Sequence, residues 1–434
     1  MLSIGKTKTI ALKKTGNILS RLKAHDDQWS ARVLFKAIKG IWELISPSKV
    51  YSIVSSEEYA RSHNSSVDVL KTNRIGYFAN AVSYGKDENQ ILKEHPLPNL
   101  LLHCFSGVCV HYGSDFVINT DERLVVNDYC ANNTDDNKGY EDRINYFQKG
   151  KIAILHKRKV SRNIDSGIMI NGKFSYNYYH NIYENLIRLM VLDDFNNRIP
   201  KEVPLIIDED VMRIPSLKRI YEILSSNLQR KIVILEKDEL INCNWLYTIS
   251  AVNSLVPLHW DYTKGRIEDY IFDKEYILKL RNTLLVHRDT SVNLPKRFFI
   301  TRKKMAHRKF NEDELFSVLK PLGFEKIAPE EYSIEQQMTL FHEAEWIFGG
   351  SGAALTNLLF TNDKCVAVCI YRNSQYIPPV FIAPMCFNGG KMYYFQSNRG
   401  TSIMKAHSDF TIDVEQFRQF VDNNIVAAIE KDEQ

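Results

Sequence analysis

Trp346-Ile-Phe-Gly349-Gly350-Ser351-Gly352-Ala353-Ala-Leu-Thr-Asn357-Leu-Leu-Phe360 sets a short apolar strand against a glycine turn that opens a helix running through Leu359. Five residues later Cys365–Tyr371 reads as another strand, so the connection between the two is a helical crossover. The same alternation extends upstream. Arg297–Thr301 is a strand, and Asn311-Glu312-Asp313-Glu314 supplies an N-cap with a carboxylate three residues on, opening a helix through Leu319. Gly323–Ala328 is a short strand, and Ser333-Ile334-Glu335-Gln336 is a capping box opening a helix to about Glu343. Strands alternating with helices predict a parallel sheet covered on both faces.

The 434 residues are 44% apolar and 25% charged, the composition of a globular protein with room for two domains. Lys and Arg number 56 against 52 Asp and Glu, a net of +4, too balanced for a nucleic-acid binder. Residues 1–50 hold ten Lys/Arg against three acids, a local +7. Within them Leu34, Ile38, Ile41 and Ile45 oppose Arg32, Lys36, Lys39 and Glu43, which predicts a basic amphipathic helix from about 29 to 45. It fits a helix packed on its own domain or one lying on an anionic membrane surface. No secretory signal is visible, and the seven cysteines show no C-x-x-C pair, which together point to a cytoplasmic protein. Cys365 and Cys369 share one face of their strand and read as core.

Elsewhere, strands are expected at Lys151–Leu155, Val203–Ile207 and Lys231–Leu235, and helices at about 179–195 and 215–228. A last helix, with Phe417, Phe420, Val421, Ile425 and Ile429 on one side, closes the chain. The expected divisions are a basic extension (1–50), an N-terminal lobe (51–245), a C-terminal lobe (246–412) and a tail helix (413–434) that packs back on the N-terminal lobe.

Three features carry chemistry. The glycine turn leaves backbone N–H groups free at a helix start, a place for phosphate. It is no P-loop, because no Gly-Lys-Ser/Thr follows, and a poor dinucleotide fingerprint. Arg302, Lys303, Lys304, His307 and Arg308 follow the strand ending at Thr301, where residues past the carboxyl ends of parallel strands line a ligand crevice. Cations there and amides of the turn together suit a pyrophosphate. On the helix near 180, His180, Glu184 and Arg188 climb one face, offering either a proton acceptor or a plain Glu184–Arg188 salt bridge. A fourth feature, Leu205-Ile206-Ile207 running into Asp208-Glu209-Asp210, reads as a solvated acidic turn or as an Asp-x-Asp cation site.

Taken in order, these residues resemble family 61 of the glycosyltransferases, including its bacterial capsule and lipopolysaccharide members. The resemblance rests on Tyr178-Tyr179-His180, Glu184 and Arg188-Leu189; on Thr301-Arg302 and Arg308-Lys309-Phe310-Asn311-Glu312; and on Gly323-Phe324, Gln337, Phe341, Ala344 and Gly349 through Phe360. It spans about 175–371. The chain departs from the family in having Ser351 where a His is usual, which leaves His307 or Arg308 to supply that charge, and Glu184 where Asp is commoner.

What the resemblance implies is an α/β enzyme of GT-B-like form, two Rossmann-like lobes with parallel sheets and an N-terminal helical extension. Its implied reaction is inverting transfer of a sugar from a nucleotide-sugar donor to an oligosaccharide or lipid-linked glycan acceptor. Glu184, with His180 as rival, takes the role of base. Arg302, Arg308, Gly350, Ser351, Gly352, Ala353 and Asn357 take the donor diphosphate, supported by Arg188, His307, Asn311 and Gln337. No cofactor or metal is expected, and membrane contact falls to residues 1–45 at the inner face of the plasma membrane. Two alternatives stand beside this: a metal-dependent GT-A-like transferase using Asp208 and Asp210, and a non-catalytic carbohydrate-binding subunit of a polysaccharide assembly complex.

Overall fold

A computed structural model describes residues 48–82, 91–128, 131, 141–142, 145–148, 152–156, 158–255, 270–303, 307–372, 379–396, 409–426 and 428–429. The helix expected at 29–45 lies outside the described residues.

Arg297 to Gln396 forms a five-stranded sheet in the order Glu325–Ile327, Arg297–Ile300, Trp346–Gly350, Val366–Tyr371 and Lys391–Gln396. Every neighbouring pair is parallel. Side chains alternate between two cores, as a period of two requires. Phe298, Ile300 and Ile347 face Met338, Phe341, Leu355 and Leu358. Phe299 and Phe348 face Leu315 and Leu319 on the other side. The helix Ile334–His342 carries the expected capping box: Ser333 Oγ accepts from Gln336 N and Gln336 Oε1 from Ser333 N, each at 3.2 Å.

Two local expectations change. Asn311 precedes the helix Glu312–Leu319 but its side chain does not cap it. Its amide instead clasps Ile412, accepting from Ile412 N and donating to Ile412 O, both at 3.0 Å. The crossover Ala353–Phe360 is a 3₁₀ helix rather than an α-helix.

The tail helix Val414–Val421, continued by a π-turn at Asp422–Val426, packs on its own lobe and not on the N-terminal one. Phe417, Val421 and Ile425 are buried against Phe348 and Phe395 of the small sheet. Each such side chain contributes about 2 kcal/mol by leaving water, so this groove outcompetes a more distant one.

The larger sheet has twelve strands and is mixed, so this half is not a purely parallel layer. Its parallel part comprises Ile232–Leu235, Leu205–Asp208, Arg162–Met169 and Leu240–Ile249. From Leu240–Ile249 onward antiparallel pairing begins with Leu100–His111 and runs through hairpins to Leu124–Val126, which then pairs in parallel with Ser48–Val54. Between the sheets one hydrophobic core joins Leu186 and Met190 to Leu280, Met338 and Leu358. Among the described residues no helix is long and apolar enough to cross a membrane.

Candidate functional site

The register of the small sheet decides what meets at its carboxyl edge. Ile300 pairs with Gly349 and Gly350 with Ile370, so three strands release their chains side by side. Arg302 therefore emerges against the glycine turn. Its Nη1 donates to Ser351 O at 3.1 Å and its Nη2 to His307 O at 3.3 Å. Arg308 Nη1 donates to the same Ser351 O at 3.3 Å. Glu312, nearly buried, accepts from Thr301 Oγ1 at 2.6 Å and from Arg302 N at 2.8 Å, which holds the backbone under the first arginine. A pocket here is lined by Arg308, Gly350, Ser351, Ile370, Tyr371, Arg372 and Phe410.

Two cations converging on one neutral oxygen is an unbalanced arrangement. Both Nε atoms, of Arg302 and of Arg308, are buried without an acceptor among the described residues. Burial and then the charge of Arg308 push the Arg302 guanidinium down to about 10. Arg308 also takes a left-handed backbone, φ 58°, a conformation that costs an arginine on the order of 1–3 kcal/mol and concentrates at ligand clamps. Gly352 is needed for space rather than for its dihedrals: a Cβ there would stand 1.9 Å from Arg302 Nη1. A dianion entering this pocket would meet charge and donors already aimed.

His180 and Glu184 form a tight pair, Nδ1 to Oε1 at 2.5 Å, both partly exposed. The expected helix exists but is interrupted: Tyr178–His180 is α, Asn181–Leu186 is a π-helix and Arg188–Asp194 is α again. Wider π-turns rotate the following residues off the original face. The charge of Arg188 is felt at Tyr221 and His103.

A seam of polar contacts joins this helix to the glycine turn. Tyr178 Oη donates to Asn357 Oδ1 at 2.8 Å, Asn357 Nδ2 to Gln337 Oε1 at 2.8 Å, and Gln337 Nε2 to Ser216 Oγ at 3.1 Å. Asn357 and Gln337 are both buried, so they hold the halves together and do not face the pocket. Asn311 is likewise spent on Ile412. The arginine cluster thus unites Arg302, Arg308, Gly350, Ser351 and Gly352, with His307 contributing its carbonyl and Ala353 opening the adjoining helix.

Asp208 and Asp210 do not present a shared face. Asp208 is fully buried and accepts from Gly113 N at 3.0 Å, and burial pushes its carboxyl up to about 7. Asp210 accepts from Tyr112 Oη at 2.5 Å. Neither meets a diphosphate in solvent. Cys365 and Cys369 are buried free thiols, as core cysteines should be.

Arg372 escaped the sequence reading. It follows the strand Val366–Tyr371 as Arg302 follows Arg297–Ile300, and the same rule about strand ends would have found it. Glu312 was visible as a helix-opening acid and in the family motif, but its grip on Arg302 is tertiary. No curated protein matches the chain. The family model described as Glycosyltransferase 61 matches residues 178–368, a span that contains the His180–Glu184 pair, the arginine cluster and the seam between them. Over this segment the chain is similar to glycosyltransferase family 61.

Proposed function

We propose that the chain transfers a sugar, with inversion, from a nucleotide-sugar whose diphosphate docks against Arg302, Arg308 and Arg372 to a glycan hydroxyl activated at His180. The observation that carries this reading is the pair of half-buried guanidinium groups sharing the Ser351 carbonyl, each with a buried Nε that has no acceptor among the described residues. As the glycosidic bond to the donor breaks, negative charge grows on the leaving diphosphate. Donors that are fixed before the reaction stabilise it most there.

For the acceptor, Nδ1 of His180 faces Glu184, which leaves Nε2 to accept the hydroxyl proton while the carboxylate steadies the imidazolium. Glu184 is thereby the orienting group and His180 the base. The lobes act in the manner of a GT-B enzyme, donor on the parallel five-stranded sheet and acceptor on the mixed one. Three arginines supply enough charge for a diphosphate, so transfer is expected to survive EDTA. The acceptor class is a capsular or lipopolysaccharide glycan met at the inner membrane face, with the +7 segment 1–50 on anionic lipid.

Titration with inorganic pyrophosphate, followed by calorimetry, tests the donor half. The wild type binds, and Arg302→Ala binds at least tenfold more weakly while keeping its Tm. Equal binding by the variant would remove Arg302 from the donor site.

A further inference from the structure

We infer that the loop Gly172–Asn177 is the acceptor-sugar subsite, with the rings of Phe174 and Tyr176 taking the apolar face of a pyranose and delivering its hydroxyl to His180. This rests on the transferase reading above.

Phe174 occupies the left-handed region at φ 60°, where a bulky residue is a genuine outlier. Its ring is held at 4.8 Å from the His180 ring, tilted by 38°, and meets Tyr176 edge-on at 6.1 Å. Lys173 Nζ stands 4.9 Å over the Phe174 ring. Tyr176 is 45% exposed, among the most exposed of the large apolar side chains described. An aromatic pair at the surface, in a strained conformation, beside the proposed base, calls for an occupant.

The loop is rigidly seated. Asn181 Nδ2 donates to Ser175 O at 2.8 Å, and Asn177 Oδ1 accepts from Tyr179 N at 3.0 Å. At Gly172 a Cβ would stand 2.6 Å from Asn185 Oδ1, so any larger residue would have to displace that buried amide. A platform already ordered loses little freedom on binding.

Its geometry selects the ligand class. The ring-on-ring distance to His180 requires a ligand whose ionisable hydroxyl lies within a bond or two of the stacked face, which a pyranose has. Its axial C–H groups also suit the negative face of an aromatic ring. A nucleobase would stack equally well but would bring His180 no hydroxyl to deprotonate.

Saturation-transfer NMR with methyl β-glucopyranoside tests the assignment, with pyrophosphate titration run on the same samples. The wild type is expected to saturate H1, H3 and H5 most strongly. That signal falls at least fivefold in Tyr176→Ala and in Phe174→Ala and persists in Tyr176→Trp, while pyrophosphate binds all four proteins alike. Unchanged saturation in both alanine variants overturns the platform, and so does uridine displacing the glycoside with the same dependence on Tyr176. A wild type that fails to bind pyrophosphate instead overturns the transferase reading, and the acceptor role with it.

Discussion

The Tyr178 hydroxyl donates to Asn357 Oδ1 at 2.8 Å, tying the helix that carries His180 to the helix that begins at the glycine turn. Removing that hydroxyl leaves a buried carbonyl oxygen unpaired. Tyr178→Phe should therefore cost about 1–3 kcal/mol of stability. Its effect on transfer should appear in kcat, with pyrophosphate affinity unchanged. Chemical denaturation and steady-state kinetics on one preparation check both.

Gly352→Ala offers a cleaner probe of the arginine cluster than deleting an arginine. The new methyl meets only the far end of the Arg302 side chain, which swings away while the fold stays intact. Tm should stay near that of the wild type while turnover falls about 10²-fold, the worth of one misplaced donor. Combining it with Arg302→Ala should add nothing further. Additive losses would show that the two residues act separately.

Glu184→Gln keeps the shape of the side chain and removes its charge. Since the carboxylate holds His180 Nδ1, the amide should lower kcat by about 10²-fold or more with donor KM little changed. Stopped assays of nucleoside diphosphate release measure it. Turnover at the wild-type rate would move the proton acceptor elsewhere.

Asp208 makes a prediction about pH. Its folded pKa, about 7, lies above the ordinary value of 3.8. A raised carboxyl pKa means the folded state holds its proton longer, so the contribution is fully present below pH 4. It is lost as pH climbs toward 7 and stays lost above. Asp208→Asn keeps the acceptor for Gly113 N and removes the titration. It should gain on the wild type by about 4 kcal/mol between pH 4 and 8. Thermal melts across that range decide, and a constant difference would rule out the burial argument.

How far the sequence could be read depended on the range of the interactions involved. The parallel sheet was legible because each strand and cap is local, and Arg302 reached the glycine turn because register fixes neighbours along a strand. Asn357 and Asn311 were misread because their partners lie in other elements: Tyr178 for the first, Ile412 for the second. The π-turn at Asn181–Leu186 leaves no periodic signature, since six residues are too few to set a period. The tail helix was correctly seen as amphipathic, yet an apolar stripe does not name the surface that receives it.

Residues 409–412 grip the turn that bears Arg308 from outside. Asp409 accepts from Lys309 N at 2.8 Å, Phe410 N donates to Lys309 O at 3.0 Å, and Phe410 stacks on Phe310 at 5.2 Å. With Asn311 clasping Ile412, one wall of the proposed donor pocket is braced by a segment a hundred residues beyond the arginine in the chain. A chain truncated before that segment would keep Arg302, Arg308 and the glycine turn but lose the contacts that brace Lys309, Phe310 and Asn311.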